Sequence, residues 1–387
     1  MKNKHLLTLS IGHAFTDMSQ GALPAMLPFF IASGGLNYTQ AAGLAFAVSL
    51  SSTLTQPAFG IMADRLPKPW LMPLGVLFSG CAISVLGFFP NHYWILFAFA
   101  MISGIGNAAY HPEGARMANR ISGRKKAGSM SIFTVGGTVG VTIGPLMAAP
   151  ALLYMGLRGS VVLALPSVAM CIVFFFLSPE IRRLAEEKGK EEEETKREFK
   201  NEWFKFFWVS IASVARSVIS HSLTVFLPMY WITVLNQSKA ASGMVISLMN
   251  FIGVIVIVAG GFLADRFGIG KIIKTGWILL IPSIYFLTRI TDPTLALLML
   301  VPISIGSYLV NSPLTVLGQK YLPKNIGFAS GITMGLGNSI GGVITPLLGS
   351  YADIHGLGAA LGLLSFLPFV GIVIAFTTKP PAIDNLQ

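Results

Sequence analysis

The sequence predicts an all-α membrane protein with twelve transmembrane helices in two pseudo-symmetric six-helix bundles. Of its 387 residues, 53% are hydrophobic and 11% are charged, whereas soluble proteins carry about 25% charged residues. The apolar residues fall in blocks of about 20, the length that a helix needs to cross the hydrocarbon core of a bilayer. Landmark residues of the first half also recur in the second half at a nearly constant offset, which indicates an internal repeat.

Apolar runs between Gly, Pro and charge clusters predict the individual spans. The first six cover residues 6–32, 40–63, 70–89, 93–118, 127–152 and 158–178. The second six cover residues 204–234, 240–264, 272–290, 294–319, 327–351 and 357–377. The first run follows a short basic stretch and shows no small-residue cleavage signature, so we expect an uncleaved transmembrane helix.

A charged stretch separates the two sets of spans. Residues 180–202 carry nine of the sixteen acidic and seven of the 27 basic side chains, and they contain too little apolar surface to bury a core. The sequence therefore predicts an N-terminal bundle (1–178), a charged cytoplasmic linker (179–203) and a C-terminal bundle (204–387). A solvated tether is the favoured interpretation of the linker, and a partner-binding segment is the alternative.

The net charge of +11 is distributed in a way that indicates topology rather than nucleic-acid binding. The basic residues lie in loops, with no motif of an RNA- or DNA-binding module, and anionic lipid accounts for their excess. With both termini in the cytoplasm, the opposite side holds only Arg158, Lys239 and Arg289. The positive-inside rule then predicts a multi-pass protein of the bacterial inner membrane with cytoplasmic termini.

Several other classes of protein fit the sequence poorly. Cys81 and Cys171 lie inside apolar blocks, and the six histidines are scattered along the chain, so neither a disulfide framework nor a metal site is expected. No nucleophile and base pair indicates an enzyme. A channel usually needs an oligomeric axis and a continuous pore, which the two-half repeat does not favour. We expect a monomer without cofactors, whose partners are lipids, protons and a small-molecule substrate.

The internal repeat has an offset of 200 to 201 residues. Gly60-Ile-Met-Ala-Asp-Arg65 recurs as Gly261-Phe-Leu-Ala-Asp-Arg266. Three proline landmarks recur as well: Leu27-Pro28 as Leu227-Pro228, Pro112 as Pro313, and Pro145 as Pro346. Two bundles of the same orientation, related by an axis along the membrane normal, are expected from such a repeat.

These landmarks resemble signatures of the major facilitator superfamily. The Gly-x-x-x-Asp-Arg element is similar to the family's cytoplasmic loop motif, although Leu66-Pro67 stands in the first copy where Gly is usual. In the fifth span Gly136, Gly140 and Gly144, followed by Pro145, resemble the glycine-rich motif of antiporters. The resemblance implies a transporter that works by alternating access, and it favours export.

A narrower resemblance is carried mainly by the N-terminal half. Its motifs are Gly12-His13-Ala-Phe-Thr-Asp17, Gln56-Pro57-Ala-Phe-Gly60, Pro69-Trp70, Tyr110-His111-Pro112-Glu113-Gly-Ala-Arg116 and Ser131-Ile-Phe-Thr-Val-Gly-Gly137. Together they resemble the fosmidomycin-resistance subfamily of drug efflux transporters. General drug antiporters carry a buried Arg three residues before a Gly in the fourth helix. This chain has Met101 before Gly104, so their proton relay does not transfer to it.

Three residues are candidates for proton coupling. Asp17 lies near the middle of the first span, where an ionised carboxylate is costly unless it faces water or a partner. His13 lies one turn earlier on the same face and can share the proton, although a hydrogen-bond pair that only fixes packing is the alternative. Glu113 is the third candidate, with a plain ion pair to Arg116 at the membrane edge as its alternative. Pro112 predicts a kink that suits a gate.

Candidate substrate contacts lie in the fourth and seventh spans. Arg216 falls near mid-depth, where an Arg requires an anion, a carboxylate partner or water. It therefore suits a phosphonate or carboxylate solute, with Asp17 as the alternative resting partner. The other predicted substrate contacts are His221, Asn107, Tyr110 and His111.

Candidate gating residues lie at helix ends and on the glycine face. The carboxylates of Asp64 and Asp265 can cap neighbouring helix N-termini, while Arg65 and Arg266 can pair across the halves. The remaining gating candidates are Arg116, Gly140, Gly144 and Pro145, of which the glycines suit close helix packing by default. The sequence thus predicts proton-coupled antiport of a small drug-like or anionic solute, fosmidomycin-type compounds included. A proton-coupled importer of a small organic anion stays open, because the same carboxylates serve either direction.

Overall fold

The structure, a computed structural model, describes residues 2–33, 36, 38–65, 70–122, 126–196, 200–237 and 239–377. Every regular element in these ranges is helical, and none of them is a strand. Leu66 and Pro67, where the first loop motif departs from its usual pattern, lie outside the described residues. The same is true of the C-terminal residues 378–387.

The first half of the chain forms six long helices. They are α1 (Lys2–Ala32), α2 (Tyr38–Arg65), α3 (Leu71–Val85), α4 (Tyr93–Ile121), α5 (Lys126–Met155) and α6 (Ala164–Lys196). Short 3-10 segments, Leu86–Phe88 and Leu157–Leu163, follow α3 and precede α6. Each long helix, together with its adjoining 3-10 segment where there is one, corresponds to one predicted span.

The helices of the second half are more often interrupted. They are α7 (Trp203–Thr233), α8 (Lys239–Phe267), α9 (Ile269–Leu287), α10 (Pro293–Leu309), α11 (Asn311–Tyr321), α12 (Ile326–Ser330), α13 (Gly337–His355), α14 (Leu357–Leu363) and α15 (Leu367–Thr377). A π-helical turn, Gly331–Leu336, joins α12 to α13. A 3-10 turn, Leu364–Phe366, joins α14 to α15.

The helices have the length and surface of membrane spans. In the described part of the chain, ten helices are long and apolar enough to cross a membrane. The two predicted spans outside this group are α1 and the interrupted segment at residues 326–355. Large apolar side chains such as Trp94, Phe176 and Phe251 are exposed, and the acyl chains of a bilayer would cover them.

Two predicted spans differ from the helices that form. The charged stretch extends α6 as far as Lys196, well past the predicted end at residue 178. Glu, Lys and Arg are good helix formers, and Arg182 pairs with Glu186 at 2.8 Å one turn later, which supports a solvated helix. The tenth span breaks at Val310, because Pro313 has no N–H to donate to the carbonyl of Leu309.

The helices group into two compact units. The first comprises Met1–Arg124, Ile132–Phe199 and Lys324–Gly335, and the second comprises Lys125–Ser131, Lys200–Pro323 and Leu336–Gln387. Each unit thus contains one short segment from the other half of the chain. The predicted domain boundaries at residues 178 and 204 stay a prediction.

Each unit has its own apolar core. In the first unit, Met18, Leu44, Leu96 and Leu152 from four helices are buried in one cluster. In the second unit, Trp277, Leu280, Leu300 and Ile303 are fully buried. The polar residues described below are embedded in these apolar surroundings, where an unpaired polar group is costly.

Candidate functional site

A buried cluster of ionisable side chains lies in the first unit. Helix α1 carries His13 and Asp17 one turn apart, and α4 brings His111 to the same carboxylate. His111 Nε2 lies 2.8 Å from Asp17 Oδ1, and His13 Nε2 lies 3.1 Å from Asp17 Oδ2. The two histidines are 4% and 8% exposed. Both carboxylate oxygens of Asp17 are therefore engaged, and we call these three residues the Asp17 cluster.

The hydrogen bonds of His13 define where a proton must lie. His13 Nδ1 is 2.7 Å from the carbonyl oxygen of Phe133, and a carbonyl only accepts, so Nδ1 carries a hydrogen. In a neutral His13 the other nitrogen, Nε2, is then an acceptor that faces a second acceptor on Asp17. Two acceptors at 3.1 Å need a proton between them. The His13–Asp17 pair is thus built to hold one exchangeable proton.

Aromatic rings enclose this cluster. The imidazole of His13 stacks on Phe133 with centroids 4.3 Å apart and meets His111 edge-on at 4.9 Å. Tyr110 is fully buried, and its hydroxyl donates to the carbonyl of Leu9. The hydroxyl is thus committed to the backbone of α1, and the substrate contact predicted for Tyr110 stays a prediction.

A glycine of α5 makes room for the cluster. A Cβ at Gly137 would lie 2.6 Å from both Asp17 Oδ2 and His13 Nε2. Gly136, Gly140 and Gly144 face α1 in the same way: Cβ atoms there would lie 2.0 to 2.3 Å from the carbonyls of Ser10, Ala14 and Met18. The glycines thus permit close packing of α5 on α1, as expected by default, and their gating role and that of Pro145 stay predictions.

His111 contacts Asp17 within the cluster, and its predicted role as a substrate contact stays a prediction. The two cluster histidines are 98 positions apart in the sequence but share one carboxylate, so their scatter along the chain was a poor guide to proximity. One nitrogen or oxygen atom from each of His13, Asp17 and His111 lies within 4.8 Å of the others, a spacing that is also found in metal sites. The distances of 2.8 and 3.1 Å fit direct hydrogen bonds.

Glu113 and Arg116 form a buried ion pair. Arg116 Nε donates to Glu113 Oε2 at 2.8 Å, and its Nη2 donates to Oε1 at 2.9 Å. Their side chains are 2% and 3% exposed, a burial that the predicted ion pair at the membrane edge did not include. Both carboxylate oxygens are occupied by the guanidinium, which favours the structural interpretation over proton coupling. Pro112 lies inside an uninterrupted α4.

Asn107 and Gln56 are two buried amides near the cluster. Asn107 lies one turn before His111, is fully buried, and has no hydrogen-bond partner for either amide atom among the described residues. Gln56 lies on α2, and its Nε2 is 3.3 Å from His111 Nδ1 and 3.0 Å from Ser52 Oγ. Gln56 belongs to one of the sequence motifs, but no role was predicted for it. The same is true of Gly137.

The predicted anion site lies in the second unit. Arg216 is buried in α7, and Tyr308 of α10 lies within electrostatic range of its guanidinium. The hydroxyl of Tyr308 donates to Asn250 Oδ1 at 2.7 Å. His221 lies five residues further along α7 with an exposed side chain. Asp17, the alternative partner predicted for Arg216, is engaged by its two histidines.

The two Asp-Arg motifs make equivalent helix caps. In the first unit, Gly327 N and Phe328 N each donate at 2.9 Å to the two carboxylate oxygens of Asp64. In the second unit, Ala127 N and Gly128 N donate to Asp265 at 3.0 and 2.7 Å. Both carboxylates therefore bind the first N–H groups of a helix, as predicted. Arg65 and Arg266 are exposed.

The family model of the Major Facilitator Superfamily matches residues 9–346. The chain is 30% identical over 388 residues to the uncharacterised MFS-type transporter YfnC of Bacillus subtilis, covering 95% of this chain and 91% of that one. It is 26% identical over 376 residues to the fosmidomycin resistance protein of Escherichia coli, with the same two coverages.

Solved structures share the fold. The human organic anion transporter MFSD10 superposes with a TM-score of 0.78 at 15% identity, covering 97% of this chain and 99% of that one. The Escherichia coli fucose:proton symporter FucP superposes with a TM-score of 0.74 at 13% identity, covering 97% and 98%. The predicted fold class is thereby confirmed, and the chain is a multi-pass membrane transporter that belongs to the Major Facilitator Superfamily.

Proposed function

We propose that this transporter is a proton-coupled exporter of a small drug-like or anionic solute, with fosmidomycin-type compounds among its substrates. The observation that carries the proposal is the Asp17 cluster, in which a buried carboxylate and His13 share one proton position. The similarity to a fosmidomycin resistance protein supports the direction of transport and the kind of solute. Arg216 in the second unit supports an anionic group on the solute.

The proton step follows from the geometry of the cluster. When the shared proton leaves, the carboxylate of Asp17 faces the lone pair of a neutral His13 at 3.1 Å, an unfavourable pair in a site with little water. The ionisable groups that face the proton position are His13 on α1 and His111 and Tyr110 on α4, while α5 presents Gly137. Reprotonation, or a conformation that admits water or substrate, relieves the repulsion. This property ties proton binding to the exchange between inward- and outward-open states.

The oligomeric state, membrane and orientation in this proposal are those that the sequence predicts. The protein acts as a monomer in the bacterial inner membrane with both termini in the cytoplasm, and it uses protons and no cofactor. Asp64 and Asp265 serve as gates, because each cap must form or break as the helix that it binds moves. The distribution of basic loop residues supports this orientation.

Transport by the purified protein tests the proposal. In proteoliposomes with a defined orientation and an imposed pH gradient, we expect fosmidomycin to move against its own gradient in exchange for protons. Asp17→Asn keeps the size of the side chain but removes the ionisable group, and we expect gradient-driven transport to fall at least about tenfold, equivalent to 1.4 kcal/mol.

A matched control separates the cluster from acidic residues in general. Asp292 caps α10 by accepting from Leu295 N at 2.8 Å, and Asn caps helices equally well, so Asp292→Asn should transport like the unmodified protein. Retained gradient-driven transport in Asp17→Asn would remove Asp17 from the coupling role. Net uptake of the solute together with protons would show that the protein is an importer.

A further inference from the structure

Gln56 connects the Asp17 cluster to another helix. Its side chain is 3% exposed, and both hydrogens of its Nε2 have an acceptor, Ser52 Oγ at 3.0 Å and His111 Nδ1 at 3.3 Å. Its other amide atom, Oε1, is buried and has no hydrogen-bond partner among the described residues. A buried acceptor without a donor is costly, so this amide is placed for a reason other than its own stability.

The unpaired oxygen of Gln56 faces the π-helical turn Gly331–Leu336. A Cβ at Gly335 would lie 1.2 Å from Oε1, and a Cβ at Gly331 would lie 3.0 Å from the carbonyl oxygen of Gln56. Only glycine at position 335 leaves room for the amide. π-Helical turns are rare and often occur at functional sites. Within this turn, between Gly335 and Leu336, the chain also passes from the first unit to the second.

The chemistry of the amide makes it sensitive to the proton on His111. While Nδ1 of His111 has no hydrogen, it accepts a hydrogen bond from Gln56 Nε2 at 3.3 Å. When His111 carries hydrogens on both ring nitrogens, Nδ1 becomes a donor and needs an acceptor. The acceptor at hand is Oε1, which reaches Nδ1 by a half turn of the amide. The NH2 group then faces the π-helical turn in place of the oxygen.

We propose that Gln56 is a positioning residue that transmits protonation of the Asp17 cluster to the π-helical turn Gly331–Leu336. The proposal rests on the proposed function in taking the cluster as the proton site, and it adds the route by which a proton alters a helix. The ionisable groups that face His111 are Asp17 and His13 on α1 and Tyr110 on α4. Helix α2 and the π-helical turn present Gln56 and glycine.

Hydrogen exchange measured by mass spectrometry tests this route in the full-length protein in lipid nanodiscs. Exchange of peptides that cover residues 326–336 is measured at one pH with the cluster protonated and at another with it deprotonated, and each rate is divided by the intrinsic exchange rate at that pH. We expect exchange of this segment in the unmodified protein to differ by about tenfold between the two protonation states. Gln56→Met, which keeps the size but not the amide, should abolish the difference.

Two further measurements make the result specific. Gln40→Met is the same substitution on the same helix at a partly buried position, and it should preserve the difference. Gln56→Met leaves the contact between His111 and Asp17 in place, so it tests the amide alone. Should Gln56→Met not fold, Gly335→Ala replaces it. The added Cβ displaces the amide, and we expect the same loss of the exchange difference.

Each possible result of these experiments either supports or overturns the proposed role of Gln56. Exchange at residues 326–336 that does not depend on protonation, or that still depends on it in Gln56→Met or Gly335→Ala, overturns the proposal. A loss that also appears in Gln40→Met overturns it too, because the effect would then be general. The proposed function is tested separately, because hydrogen exchange is measured without substrate. Transport that does not depend on the pH gradient would overturn the proposed function.

Discussion

The substitution Gly137→Ala should disable proton coupling without unfolding the protein. The new Cβ would lie 2.6 Å from Asp17 Oδ2 and from His13 Nε2, whereas Cβ atoms rarely approach other heavy atoms within 3.0 Å. Both polar groups must therefore move apart or away from α5. The first contact to lengthen is their own, now 3.1 Å.

The expected magnitudes separate function from stability. Overpacking a well-filled site costs about 1–3 kcal/mol, but replacing Gly by Ala inside a helix returns about 0.5–1 kcal/mol, so the net loss of stability is about 0–2.5 kcal/mol and leaves the protein folded. Loss of a hydrogen bond to a charged group is worth about 1.5–3 kcal/mol. At 1.4 kcal/mol per factor of ten, gradient-driven transport should fall about 10- to 100-fold.

The assay is the proteoliposome measurement, accompanied by thermal unfolding in detergent. The matched control is Gly349→Ala, where the added Cβ would meet the ring of Phe226 at an ordinary 3.5 Å. In Gly137→Ala/His13→Ala one of the two clashes is absent, so the effects of the two substitutions should not add. If Gly137→Ala transports as well as Gly349→Ala, the close approach of α5 has no part in coupling.

Three further predictions concern the caps, the buried ion pair and the anion site. Asp64→Ala and Asp265→Ala should each destabilise the protein by about 0.5–2 kcal/mol and speed hydrogen exchange at the helix start that they cap; an effect at only one of them would argue against equivalent gates. Glu113→Gln should cost about 3–5 kcal/mol, because Arg116 stays buried without its carboxylate, and restored stability in Glu113→Gln/Arg116→Gln would verify the pairing. A stable Glu113→Gln without coupling would instead make it a proton carrier. Arg216→Ala should weaken binding of anionic solutes at least about tenfold by calorimetry, with Arg216→Lys retaining part of the affinity, and unchanged binding would exclude the anion site.

The sequence predicted the fold well because the bilayer imposes a strong and local signal. A span needs about 20 apolar residues wherever it occurs, so periodicity and loop charge locate the helices without tertiary information. The end of α6 at Lys196 was not predicted because a run of charged residues is typical of a solvated tether, although Glu, Lys and Arg also favour helix. The break at Val310 could have been predicted from Pro313, whose counterpart Pro112 nevertheless leaves α4 uninterrupted.

The site was predicted only as far as its contacts are local. Asp17 and His13 are one turn apart, so helical spacing places them together. Their contact with His111 bridges 94 residues, and no spacing rule reaches that far. Gly137 and Gln56 belong to motifs that were recognised in the sequence. A single sequence does not distinguish a glycine that leaves room for a carboxylate from any other glycine. The burial of Glu113 was missed because a charged pair near a helix end is usually solvated.

Comparison of the two repeats shows which functional groups the two units share and which they do not. At the repeat offset, Asp64 corresponds to Asp265, and both cap a helix. The Asp17 cluster has no such counterpart, because His13 and Asp17 correspond to Ser213 and Ser217. Serine in a helix hydrogen-bonds to its own backbone, as Ser213 does to the carbonyl of Val209, and does not titrate.

Arg216, in turn, corresponds to Thr16 of the first half. The helix caps are thus symmetric, whereas the ionisable groups are divided. The proposed proton site lies in one unit and the predicted anion site lies in the other. A proton and an anionic solute then do not compete for the same side chain. Under the proposed function, exchange between them acts through the conformation that both sites bias. A route such as Gln56, from His111 to the π-helical turn, is the kind of element that such coupling needs.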